Sequence, residues 1–371
     1  MKKALLALLA LGLMVAFSSK EAIQKEWEGS AHNNGVMGAK SLPQATVEVR
    51  AENAAHCARC HSEQGFVAWL AQLKKGNPGN LVGPDGKAAT VDYLKSLGLT
   101  QGQVKPITCQ TCHDEDGDLR LAQDTPMLPS GFRAVGVGSG ALCIACHNTR
   151  NGRITWNAAD AGRYTSPHYS AEADILLGKN AYFVDDTREW NNAHAFFTGG
   201  SCSTCHMSLA GKGDYTSHTF KTPENLCASC HGAKYTKEMV QENTEYLMSL
   251  VRTLVNAKVL AVRDRIKTVR AYNPDNGQFT PNVAVKAPVY RVDITTIGGQ
   301  LSFKMDLTDG TVLYSQLGDI RDEKGQPVFS TKDPVVRAAW NYILVKYDGS
   351  KGIHNPTYTR AILLAAAEAL R

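Results

Sequence analysis

The chain has 371 residues and a formal net charge of +5. Neither a basic run nor a nucleic-acid motif accompanies that charge, which excludes a nucleic-acid partner as the reading of the composition. Beyond the first 18 residues no apolar run approaches the roughly 20 residues that cross a bilayer, so a membrane-spanning body is not expected either.

Residues 1–18 have the pattern of an export signal. Lys2 and Lys3 precede an apolar stretch from Ala4 to Phe17 broken only by glycine, and Ala16-Phe17-Ser18 is the expected cleavage site. The stretch is about 14 residues, short of a bilayer span. A soluble, exported protein in the periplasm or at the cell surface is expected, with no stable transmembrane anchor after cleavage.

Residues 19–235 hold all ten cysteines, in five copies of Cys-x-x-Cys-His. These are Cys57, Cys60 and His61; Cys109, Cys112 and His113; Cys143, Cys146 and His147; Cys202, Cys205 and His206; and Cys227, Cys230 and His231. Composition alone would supply roughly 0.008 such motifs. Two cysteines three apart share one side of a helical turn, where their sulfurs can bond the two vinyl groups of one porphyrin. The following histidine then ligates the iron as proximal ligand, which is c-type haem attachment. Zinc requires knuckles in pairs, and five do not pair off. A thioredoxin-like site has one CxxC pair, and simple disulfides leave the five histidines without a role. The expectation is therefore five c-type haems. Their propionates would add about ten negative charges and cancel the basic balance.

Between the motifs lie turn-forming clusters, Gly76 to Asn80, Gly83 to Gly86, Asp114 to Gly117 and Gly136 to Gly140, which predict loops and short helices. The first cysteines are spaced by 52, 34, 59 and 25 residues, so no fixed repeat is present, and the close fourth and fifth motifs predict neighbouring haems. With so little chain per porphyrin the haems are expected to form much of the core, and this region is not expected to fold properly without them.

Residues 236–371 change character. Leu247, Leu250, Val251, Leu254, Val255, Val259, Val262, Ile266 and Val269 predict one helix from Thr236 to about Arg270. A Pro/Asn/Gly loop is expected from Asn273 to Pro288. Alternation at Tyr290, Val292 and Ile294, then at Leu301, Phe303, Met305 and Leu307, with turns at Gly298-Gly299 and Asp309-Gly310 and a third segment from Val312 to Leu317, predicts an antiparallel meander. Asp333-Pro334 and Asn355-Pro356 start two closing helices. The fold class is thus mainly α, with a loop-rich multihaem region, a long C-terminal helix and a small β meander, the C-terminal region packing back on the haem region.

Setting aside the five proximal histidines leaves His32, His56, His168, His194, His218 and His354 as candidate distal ligands. Five irons need five; the near match favours six-coordinate, bis-histidine haems of low potential that transfer electrons and offer no substrate site. Met37 and Met207 are alternative axial ligands.

These motifs resemble those of bacterial multihaem c-type cytochromes, in particular pentahaem-like relatives of the cytochrome c nitrite reductase and octahaem reductase superfamily. The resemblance implies that His32, in its Ser-x-His context, and His354, ahead of the C-terminal helix, are distal ligands. Nitrite reductases of this kind usually carry one motif ending in lysine, whereas all five here end in histidine, and the Tyr290–Leu317 meander is outside their pattern. Extracellular cytochromes of metal-reducing bacteria, some of which form conductive filaments, are similar in motif usage. The function expected is electron conduction between redox partner proteins or terminal acceptors in anaerobic or extracellular respiration. Two alternatives stay open: reduction of a small nitrogen or sulfur oxyanion at one open haem, and a filament subunit.

Overall fold

The computed structural model describes residues 19–33, 41–153, 164–185, 188, 190, 192–196, 198–208 and 215–371. The export signal and Met37 lie outside the described residues. In chain order the helices are α1 (19–28), α2 (Ala51–His61), α3 (Glu63–Leu73), α4 (Val91–Ser96), α5 (Cys109–Cys112), α6 (Gly140–Cys146), α7 (Glu172–Leu177), α8 (Ala193–Phe196), α9 (Cys202–His206), α10 (Leu226–His231), α11 (Glu238–Ala261), α12 (Pro334–Asp348) and α13 (Pro356–Ala369). The strands are β1 (Thr268–Asn273), β2 (Gln278–Ala284), β3 (Val289–Ile297), β4 (Gln300–Leu307), β5 (Val312–Gln316) and β6 (Ile320–Arg321). The chain divides into two compact units. One takes residues 1–128, 133–146 and 195–233, the other 129–132, 147–194 and 234–371.

In the first unit, α2 and α3 pack at close range. Ser62 caps α3 by accepting from the Gly65 N–H at 3.0 Å. A side chain at Gly65 would place its Cβ 2.3 Å from the Ala58 carbonyl oxygen, so only glycine permits the approach. Phe66, Trp69, Leu70 and Leu73 repeat at helical spacing and are all buried. The Trp69 indole donates to the Gly79 carbonyl at 2.9 Å, and the Arg59 guanidinium lies 5.5 Å from its ring, so a turn-rich loop is pinned to α3. Elsewhere side chains organise the loops: Asp114 Oδ1 accepts from the N–H groups of Asp116 and Asp118. Helices α9 and α10, which carry the fourth and fifth motifs, bury none of their residues.

The second unit has one continuous apolar cluster. Leu247, Val251, Val255 and Val259 recur every fourth residue on α11 and are buried with Val292, Phe303, Trp340, Ile343, Leu344, Tyr358 and Ile362. Strands β3, β4 and β5 form an antiparallel meander in that order, with Val292 opposite Met305 and Ile294 opposite Phe303. The β3–β4 turn is Gly298-Gly299, with φ of +56° and +74°, a two-residue hairpin whose two positive dihedrals suit glycine. The register shifts between Val289 and Arg291, and Tyr290 there is exposed. Helices α12 and α13 each begin at a proline, and Asn355 caps α13 by accepting from the Tyr358 N–H. Residues 179–182 are bonded into this unit. The Trp340 indole donates to the Asn180 carbonyl at 2.7 Å, the Tyr358 hydroxyl donates to Lys179, and the buried Asn341 amide exchanges both bonds with Tyr182.

Two expectations change. The long helix stops at Ala261 rather than Arg270. Val269 is buried instead on β1, which pairs with β2 on one side and β6 on the other. The segment from Asn273 to Pro288 is not a loop, because β2 pairs antiparallel with β1, closed by a turn in which the Gly277 N–H donates to the Asn273 carbonyl. Pro281 sits on the outer strand β2, where a missing donor is tolerated.

Candidate functional site

Each Cys-x-x-Cys-His motif places its cysteines on a helix. Cys57, Cys60 and His61 end α2, and Cys109 and Cys112 span α5. Cys143 and Cys146 end α6, while Cys202, Cys205 and His206 make α9 and Cys227, Cys230 and His231 end α10. A capping box starts α5, with Thr108 and Thr111 satisfying each other's backbone N–H. No disulfide joins any of the ten cysteines.

Within the first unit the motifs stand next to one another. The Cys143 thiol is hydrogen-bonded to Cys202 and the Cys146 thiol to Cys60, and Cys112 lies close enough to act on both. Cys205 feels Cys227, Cys202 and Cys230. The first, third, fourth and fifth motifs therefore follow in contact order, with the second beside the third. Close backbone approach makes the third and fourth adjacent. At Gly138, where φ is +56°, a Cβ would lie 2.1 Å from the Gly199 carbonyl oxygen, and the Ser139 and Ser203 hydroxyls meet at 2.5 Å. The hydrogen bond to Cys202, with burial, pushes the Cys143 thiol well up, as that to Cys60 does for Cys146. Burial pushes Cys112 up to about 11. These sulfurs are held as neutral thiols, the opposite of a nucleophilic CxxC centre.

The histidines share a second feature. His113 offers Nδ1 to the Gly117 carbonyl at 2.8 Å, His206 to Phe220 at 3.1 Å, His218 to Thr216 at 2.8 Å, His168 to Tyr169 at 3.1 Å and His194 to Ile353 at 3.1 Å. A carbonyl oxygen only accepts, so the proton of each neutral ring sits on Nδ1 and the lone pair on Nε2. His56 meets the Asn80 side-chain oxygen at 2.6 Å, His354 meets Asp348 at 2.5 Å, and His147 lies 3.4 Å from Glu172. Burial alone would raise Glu172, but the hydrogen bond and charge of His147 hold it below the usual carboxylate range.

The candidate distal histidines fall into groups. In the first unit His32 and His218 flank one ring, with centroids 4.3 Å and 6.1 Å from that of Phe220, and His56 stands on α2. In the second, His194 reaches the turn that carries His354, and Asn192 donates to the His354 carbonyl at 2.5 Å. His168 stands beside Tyr169, whose ring packs edge-on against Tyr347 at 5.1 Å. Met207 directly follows α9. Sequence reasoning missed Asp348 and Glu172 as histidine partners: neither lies in a motif, and only folding brings them to a ring.

A family model described as a doubled CXXCH motif matches residues 194–236, which include the fourth and fifth motifs. Two curated relatives, the C-type polyheme cytochromes OmcB of two strains of Geobacter sulfurreducens, are 23% identical over 297 residues, covering 62% of this chain and 39% of each relative. The five motifs and these matches support a multihaem c-type cytochrome. The chain spans less than half the length of those curated relatives. A solved structure, that of the outer cell wall cytochrome OcwA, aligns at a TM-score of 0.45 with 17% identity, over 93% of this chain and 50% of that one. No described helix is long and apolar enough to cross a membrane.

The residues present fit c-type haem. Paired thiols lie on one helical turn, His113, His168, His194, His206 and His218 keep their lone pairs on Nε2, and the short helices α9 and α10 bury nothing of their own, which helices of five and six residues cannot sustain unaided.

Proposed function

We propose that this chain is an exported pentahaem c-type cytochrome, an electron carrier passing electrons between redox partner proteins or terminal acceptors at the periplasmic or outer face of a bacterial cell. In this reading Cys57, Cys60, Cys109, Cys112, Cys143, Cys146, Cys202, Cys205, Cys227 and Cys230 tether five haems. His61, His113, His147, His206 and His231 are the proximal ligands, and the distal ligands come from His32, His56, His168, His194, His218 and His354. Each bound haem supplies a one-electron ferric/ferrous couple. The chain's own part is to hold, orient and shield. Backbone carbonyls at Nδ1 aim the rings of His113, His168, His194, His206 and His218, as outer-shell partners of metal-bound histidines do.

The observation that carries this reading is the Nδ1 pattern. It is present on two proximal histidines, His113 and His206, and on three distal candidates, His168, His194 and His218, and it prepares both kinds for the same task. Distal rings already set for ligation favour filled sixth positions over an open substrate site.

The test uses protein matured in a host that attaches c-type haem. The expected result is a denatured mass exceeding the polypeptide by five haems, low-spin ferric signals alone in electron paramagnetic resonance, and no carbon monoxide binding after reduction. Fewer haems would overturn the count. A high-spin ferric signal with carbon monoxide binding would move the assignment to a reductase with one open haem.

A further inference from the structure

His354 differs from His56, His168, His194 and His218 in what holds its Nδ1 proton. His168, His194 and His218 give theirs to neutral backbone carbonyls and His56 to an amide oxygen. His354 faces a carboxylate, Asp348 Oδ1, at 2.5 Å, and the Asp348 side chain has no exposed surface. Among the described residues a comparable pair, His147 with Glu172, is longer at 3.4 Å and partly exposed on both sides.

The turn between α12 and α13 is built to keep this pair together. Asp348 ends α12, and Gly349 follows in the left-handed conformation with φ of +71°. The Ser350 hydroxyl donates to Asp348 Oδ2, and its oxygen accepts from the His354 N–H at 3.2 Å. Asn192 holds the His354 carbonyl, and Asn355 donates to the Leu176 carbonyl at 3.2 Å. The imidazole is therefore fixed against the acid at its back, with Nε2 directed away from it.

A hydrogen bond to an ionised group is roughly twice as strong as a neutral one. A carboxylate behind a ligating histidine raises the ligand's basicity. Ferric iron carries one more positive charge than ferrous iron and gains more from a basic ligand, so such a ligand lowers the reduction potential. We propose that Asp348 is a positioning residue that sets a haem potential: through His354 it makes the iron that His354 ligates harder to reduce than it would be with a neutral acceptor behind the ring. The proposal rests on the reading of His354 as a distal ligand.

The experiment is a spectroelectrochemical titration of the full haem-loaded protein and two variants, with electron paramagnetic resonance of the oxidised forms. In Asp348→Asn the haem mass stays complete. The midpoint of one component rises by about 59 mV, a fall of about tenfold in its oxidised-to-reduced ratio at a fixed applied potential, and one low-spin signal changes its largest g value. Ser350→Ala removes the competing donor to Asp348, so the same component shifts downward. Opposite signs are not the signature of a loosened fold. An unchanged titration in Asp348→Asn, or shifts of one sign in both variants, overturns the role of Asp348 and leaves the haem reading intact. A separate His354→Ala variant in which every iron stays six-coordinate and low-spin would instead remove His354 as a ligand.

Discussion

The two units solve the problem of burial differently. In the second, Phe303, Trp340 and Tyr358 are fully enclosed by one cluster that joins α11, α12, α13 and both sheets. In the first, apolar burial gathers around α2 to α4, with smaller contributions from α6 and the loops, while α9 and α10 bury no residue. A helix of five or six residues pays for nucleation with one or two hydrogen bonds and is not stable alone in water. The first unit thus has the sequence of a region completed by its cofactors, the second that of an ordinary hydrophobic domain.

Withholding haem gives the largest contrast. In full-length chain made without haem attachment, hydrogen exchange should show α11, β3, β4, α12 and α13 still protected and α9 and α10 exchanging freely; equal protection in both units would erase the distinction. Next, Phe303→Ala should cost about 3–5 kcal/mol in denaturant unfolding of the second unit, because it opens a cavity in a closed core. A pH effect of on the order of a few kcal/mol is expected at Asp174. Burial pushes this carboxyl up to about 7, against the pull of hydrogen bonds from Asn180 and from the Thr149 N–H and hydroxyl. An unfolded aspartate releases its proton near pH 4 (about 3.9). The folded chain therefore binds more protons between about pH 4 and 7, so stability falls as pH rises through that window and levels off above it. Asp174→Asn should flatten the slope.

Gly138→Ala probes the first unit. The methyl group would meet the Gly199 carbonyl at a strained φ, and a loss of about 1–3 kcal/mol is expected in haem-monitored melting. The smallest effect belongs to Lys351→Ala. Its ion pair with Glu245 is more than half exposed on both sides, and unfolding should change by less than about 1 kcal/mol.

Much of the second unit was legible because its residues repeat at the period of the element they form. Phe303 and Met305 alternate on β4, Gly298-Gly299 marks the hairpin, and Asn355-Pro356 starts α13. Val262, Ile266 and Val269 continued the helical spacing and misled, because pairing of β1 with β2 and β6 outweighed it. The hairpin closed by Asn276-Gly277 was hidden by Pro281, which an outer strand accommodates. In the first unit the motifs could be located but not their neighbours: nothing in the spacing of Cys60 and Cys146 says that their thiols meet.

Local chemistry alone determined that this protein binds c-type haem, since two thiols and an imidazole within five residues need no long-range contact to make the attachment site. It also determined the helical and strand character of residues 236–371, through periodicity. Which motifs adjoin, which histidines share an aromatic ring or a turn, and that a buried acid stands behind His354 were decided by the tertiary structure. Most of those relations join residues tens to hundreds of positions apart, and even Asp348 and His354, six apart, meet only because the turn between α12 and α13 is packed in place.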